Sequence, residues 1–103
     1  MLNRDIIRIE SSAPPVVEFD ASVSAWYIRF SRAKVARTVS GDRPGPVVAV
    51  DFDAAGKVVG VELIGVKEFS IAAFLKVARV EAPNIDFNKA RFVMSGAPEL
   101  QPA

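Results

Sequence analysis

The chain contains no cysteine and no histidine. The first absence excludes disulfides and thiolate chemistry and leaves the redox compartment open. The second removes the commonest general base near neutral pH and the commonest zinc ligand. Any catalysis would have to rest on carboxylates, lysine, arginine, tyrosine or serine. A surplus of one charge is lacking as well. Thirteen basic and twelve acidic residues leave a formal net charge of +1, too small to attract nucleic acid, a membrane surface or an acidic ligand by field alone. No apolar run approaches the ~18 residues that a membrane helix requires. Arg4, Asp5 and Arg8 place charges where a signal peptide would carry its apolar stretch. These absences make a soluble cytoplasmic protein the expectation, with no membrane partner.

Half of the 103 residues are hydrophobic, which favours a globular chain over a disordered one. The length suits a single domain with a modest core. Residues 1–15 read as an N-terminal arm or short strand, in which Ile7 and Ile9 alternate with Arg8 and Glu10. The proline pair Pro14-Pro15 interrupts it. Residues 16–66 read as a sheet, 67–94 as a helix with a candidate further strand at Lys89–Met94, and 95–103 as a tail.

Within the sheet, Val16 to Phe19 form a candidate strand and Asp20-Ala21-Ser22 a tight turn. From Ala25 to Ser31, Trp26, Ile28 and Phe30 share one face while Tyr27 and Arg29 share the other. The alternation allows this strand to continue through Val35 to Val39. The run Ser40-Gly41-Asp42-Arg43-Pro44-Gly45-Pro46 is the strongest loop signal in the chain.

Two further strands, Val47–Phe52 and Lys57–Ile64, flank Asp53-Ala54-Ala55-Gly56 and predict an antiparallel hairpin. A four-residue loop sets Phe52 opposite Lys57, Val50 opposite Val59 and Val48 opposite Val61. One face then carries Val48, Val50, Val59, Val61 and Leu63. The other carries Val47, Ala49, Asp51, Val58, Gly60, Glu62 and Ile64. A slip of one residue would exchange the faces, so their parity is strongly specified. Gly60 in mid-strand predicts a bulge or the close approach of another group such as an aromatic ring.

After the hairpin, Ser70 is a candidate N-cap, with Phe69 and Phe74 spaced as a hydrophobic staple. Ile71, Phe74, Leu75 and Ala78 recur at helical spacing, predicting an amphipathic helix to about Val80 that packs on the apolar face. The expected fold is therefore α+β: an antiparallel β-meander or hairpin sheet with one C-terminal amphipathic helix packed on it.

Three motif readings meet at the hairpin. Asp51 and Asp53 at the end of an apolar strand resemble the nucleophile strand of haloacid-dehalogenase-type phosphotransferases. That family follows its motif with a loop and helix inside a larger α/β body, whereas a strand follows here. Asp51, Asp53, Gly56 and Glu62 also fall at positions 1, 3, 6 and 12 of a calcium loop. Ala55 offers no side-chain ligand at position 5, and an extended strand carries Glu62 away from the turn. No metal and no cofactor is expected, and Asp53 and Gly56 are read as turn formers.

The third reading covers more of the chain. Phe19-Asp20, the strand Ser24-Ala25-Trp26-Tyr27-Ile28, then Asp51-Phe52-Asp53-Ala54-Ala55-Gly56 running into Val59-Gly60-Val61-Glu62-Leu63 occur in a fixed order. Over about Val16 to Val66 this order resembles domain of unknown function 2283, a family of small, mostly bacterial proteins. Phe19, Ser24 and Trp26 depart from its tyrosine, aspartate and leucine, and Ser24 removes a carboxylate. The resemblance implies a compact antiparallel sheet and supplies no catalytic residue.

The candidate ligand or interface residues are Tyr27, Arg29, Asp51 and Glu62 on the mixed face, set against a plain solvated face with cross-strand ion pairs. No residue is assigned a catalytic role. Arg29, Arg32, Lys34, Arg37 and Arg43 crowd five cations into fifteen positions and make weak nucleic-acid binding one alternative. A small-molecule or metal-assisted enzyme using Asp51, Asp53 and Glu62 is another. The surplus of apolar side chains favours a non-enzymatic interaction module instead, acting as a homodimer, with a protein partner encoded nearby as a further candidate. The Ile6–Ile9 arm and Lys89–Met94 are the segments expected near the two-fold contact.

Overall fold

The computed structural model of the chain describes residues 6–41, 47–66 and 70–95. In chain order the elements are β1 (Ile7–Arg8), β2 (Val16–Asp20), β3 (Ala25–Arg29), β4 (Arg37–Ser40), β5 (Val47–Phe52) and β6 (Val58–Ile64). Helix α1 (Ile71–Ala78), β7 (Val80–Glu81), a 3-10 turn (Phe87–Lys89) and β8 (Arg91–Ser95) follow. Six strands form one sheet in the order β4-β5-β6-β3-β2-β8, and β1 pairs with β7 in a separate two-stranded ribbon.

The class is α+β, but the sheet is mixed rather than antiparallel. β8 runs parallel to β2 with Val17 beside Phe92 and Phe19 beside Met94, and β1 runs parallel to β7. Alternation reveals which residues share a face and is silent on strand direction between distant segments. The helix lies in mid-chain rather than at the C-terminal end of the fold, since β7 and β8 come after it. Ser70 caps it as expected, its hydroxyl oxygen accepting the Ala73 N–H at 3.0 Å. The staple partner Phe69 lies outside the described residues. Arg79 turns left-handed at φ 59 and donates its N–H to the Leu75 carbonyl, closing the helix after Ala78. The β-branched Val80 then extends into β7 instead of prolonging the helix.

The hairpin keeps its predicted faces at Val48, Val50, Val61 and Leu63 with a register changed by two residues, whereas Val58, expected on the mixed face, packs against the core beside Phe52. Val48 lies opposite Leu63, Val50 opposite Val61 and Phe52 opposite Val58, with an irregularity between Asp51 and Phe52. Val59 is the extra residue on β6, and its carbonyl accepts the N–H groups of Phe30 and Ser31 as β3 leaves the sheet. A shift of two preserves parity, so the apolar set still points one way. The turn closes through Gly56 N–H to the Asp53 carbonyl, with Gly56 at φ 84, the left-handed position that such hairpin loops reserve for glycine.

Ser31 to Ala36 break the strand that alternation allowed to run on to Val39. Its last part becomes β4, which pairs with β5 at the far edge. The core gathers Val17, Ile28, Phe30, Val48, Val50, Val61 and Leu63 from the sheet. Phe74 and Ala78 from α1, with Ile9, Val80 and Ile85, cover them. Each fully buried aliphatic side chain of this kind contributes about 1.5–3 kcal/mol. Ile9 is 4 % exposed and Ile6 56 %, so the arm is anchored in its own chain's core at Ile9 while Ile6 faces outward.

Candidate functional site

The face opposite the core gathers Tyr27, Glu62, Asp51 and Thr38 from four strands, in two adjacent rows: Tyr27 and Glu62 in one, Asp51 and Thr38 in the next. Tyr27 on β3 lies directly across from Glu62 on β6, and Asp51 on β5 directly across from Thr38 on β4. The Tyr27 hydroxyl donates to Asp51 Oδ2 at 2.9 Å, and the Thr38 hydroxyl donates to Oδ1 of the same carboxylate. Both Asp51 oxygens are thus engaged by neutral donors, each a charge-assisted bond.

Gly60 makes this geometry possible. It stands opposite both Arg29 and Asp51, and the Tyr27 ring crosses it to reach β5. A Cβ built at Gly60 would overlap the tyrosine hydroxyl and its ring carbons. The mid-strand glycine therefore marks both features its position predicts, a bulge beside it and an aromatic ring above it.

Burial, reinforced by the bond to Asp51, pushes the Tyr27 hydroxyl well above its usual range. It stays protonated and acts as a donor. Burial also raises the Glu62 carboxyl, with Asp51 and Asp20 adding like-charge repulsion. Arg29 lies in the register row of Gly60 and Asp51, but its side chain turns away from Asp51. Its guanidinium lies 5.4 Å from the Tyr27 ring centroid, and its Nε is 3.5 Å from Glu18 of β2. Of the four candidates, Tyr27 bonds Asp51 across Gly60 and stands beside Glu62, and Arg29 borders this cluster through the tyrosine ring.

Thr38 and Glu18 belong to this arrangement and carried no sequence signal. Thr38 reaches Asp51 only because β4 swings to the outer side of β5. Asp53, by contrast, serves the turn: its Oδ1 accepts the N–H groups of Ala55 and Lys57, both at 2.9 Å. Among the described residues, no three carboxylates gather in a way that could hold a metal ion. The basic segment disperses. Arg37 stacks 4.3 Å above the Phe52 ring, Arg29 faces Glu18, and Arg43 lies outside the described residues.

Residues 16–67 match the model of a family described as "Protein of unknown function (DUF2283)". The match spans β2 through β6, which holds the whole Tyr27–Asp51 cluster. The arm, α1, β7 and β8 lie outside it. Neither a curated protein nor a solved structure matches the chain significantly. No described helix is long and apolar enough to cross a membrane.

Proposed function

We propose that this chain, which belongs to the DUF2283 family of proteins of unknown function, is a non-catalytic interaction module that pairs with a second copy of itself through β8. The observation that carries this reading is the state of that strand. Phe92 and Met94 stand beside Val17 and Phe19 on the core face, yet they are 62 % and 61 % exposed, and Val93 on the other face is 41 % exposed. β8 is also the last strand of the sheet, so one row of its backbone groups has no neighbouring strand among the described residues. An apolar edge of this kind is a template for strand pairing.

A two-fold axis through Val93 would set Phe92 of each copy against Met94 of the other in an antiparallel ladder. The apolar layer would then run on from Val17 and Phe19 into the partner, an isologous contact that closes on itself. The carboxylate-enzyme alternative has less support. Asp51 is occupied by Tyr27 and Thr38, and Asp53 is held by turn amides.

Sedimentation equilibrium at micromolar concentration should report about twice the mass of one chain. The double variant Phe92→Ser/Met94→Ser should sediment as a monomer with an unchanged circular-dichroism spectrum. A wild-type chain that stays monomeric at high concentration would overturn the proposal.

A further inference from the structure

We infer that a cleft with no β8 residue in its lining binds a small organic anion, a single carboxylate carried on an apolar body. The cleft has a volume of about 720 Å³ and lies where the N-terminal arm, the exit of β3 and the β5–β6 turn converge. That size falls within the roughly 300–1,000 Å³ typical of small-molecule sites. Its apolar wall is built by Ile9, Phe30 and Val58, the first two almost fully buried and the third half-buried.

The polar groups around that wall are unevenly committed. Arg8 donates to Glu10 and Glu81, so its charge is committed to two carboxylates. Asp53 is held by the turn amides. Arg32 and Lys57 also line the cleft, and neither has an ion-pair partner among the described residues. Both are exposed at the rim.

Two hydroxyls add to this supply. Ser11 Oγ accepts the Ala13 N–H, and Ser31 Oγ accepts the Ala33 N–H. A serine hydroxyl fixed as an acceptor still has its own hydrogen to give, and neither donates it among the described residues. Among the described residues, the cleft therefore offers two cations without an ion-pair partner and two hydroxyls with a hydrogen still to donate beside an apolar wall, while its carboxylates already accept hydrogen bonds. That complement suits an anionic head with an apolar tail and disfavours a cation.

The test uses the isotope-labelled full chain and octanoate as the probe, followed by amide chemical-shift titration. Octanoate should give saturable shifts at the amides of Ser31, Arg32, Lys57 and Val58. Acetate supplies the charge without the tail and octanol the tail without the charge, so each should bind far more weakly. Arg32→Ala/Lys57→Ala should keep its melting temperature, because both side chains are exposed and form no ion pair among the described residues. It should lose at least about tenfold in octanoate affinity, as expected for charge-assisted bonds removed from a partly desolvated rim. Three outcomes would overturn the assignment: octanol binding as tightly as octanoate, affinity unchanged in the double variant, or shifts confined to Phe92–Met94. The oligomeric state is read separately, so failure here leaves the self-association proposal standing, and the reverse holds as well.

Discussion

On the β5–β6 hairpin, Val48, Val50, Val61 and Leu63 are buried in one cluster with Phe74 and Ala78 of α1. Three strands away from β6 in the same sheet, Phe92 and Met94 face the same side and remain three-fifths exposed. The two regions share the period-two pattern and differ only in what lies above them. Alternation therefore chooses the face of a side chain, and the layer docked on that face chooses its burial. The covering layer comes from segments distant in sequence, α1 and the arm, and it stops short of β8.

The sharpest way to break this comparison is to place one charge in each region. Val61→Asp buries a carboxylate with no partner at a position that is 0 % exposed. The cost should exceed about 4 kcal/mol, a large part of the roughly 5–15 kcal/mol that holds a domain together. Loss of the cooperative thermal transition is the expected outcome. Phe92→Asp, on the same face of the same sheet, should leave that transition within a few degrees of wild type while abolishing self-association. Equal destabilisation by the two substitutions would mean that β8 is covered within its own chain.

A medium effect probes the opposite face, where Gly60 admits the Tyr27 ring. Gly60→Ala forces the tyrosine aside and breaks its bond to Asp51, at an expected cost of about 1–3 kcal/mol. In a Tyr27→Ala background the same change should cost almost nothing, because the space is already empty. The double-mutant cycle in urea measures this coupling. A Gly60→Ala cost that is independent of residue 27 would assign the glycine to the bulge alone.

The sequence disclosed the hairpin faces from Val48 to Val50 and from Val61 to Leu63, and the glycine beneath a ring, because these follow from period-two geometry and steric size; Val58 turned to the core face because the bulge breaks the period. It also disclosed the Ser70 cap, a local bond within one turn. The register was two residues out, since a bulge at Val59 depends on β3 supplying donors from outside the hairpin. The parallel placement of β8 and the outward swing of β4 depend on long-range docking that no local pattern encodes. The candidate site divides in the same way. Tyr27, Asp51 and Glu62 were legible as neighbours on one face. Thr38 was not, because it joins them only through the position of β4, and Arg29 was drawn away by Glu18 on a strand whose neighbour order could not be read.

The smallest effect tests the cluster at Glu62. Its carboxyl is raised above the usual range, first by burial and then by repulsion from Asp51 and Asp20. The folded state therefore holds the proton more tightly than the unfolded state does. Between the unfolded and folded pKa values the native chain binds more protons, so stability falls as the pH rises through that window. Above it the ionised carboxylate is a fixed liability, and below it the liability vanishes. Glu62→Gln should accordingly raise the melting temperature slightly at neutral pH and make no difference once the solution is acidic enough to protonate the carboxyl in both states. Because Glu62 is only partly buried, the gain should be a degree or so. Thermal melts of the two proteins across a pH series provide the check. A variant that is less stable than wild type at neutral pH would show that the Glu62 carboxylate holds a favourable partner and that the cluster across β3, β6, β5 and β4 is not short of positive charge.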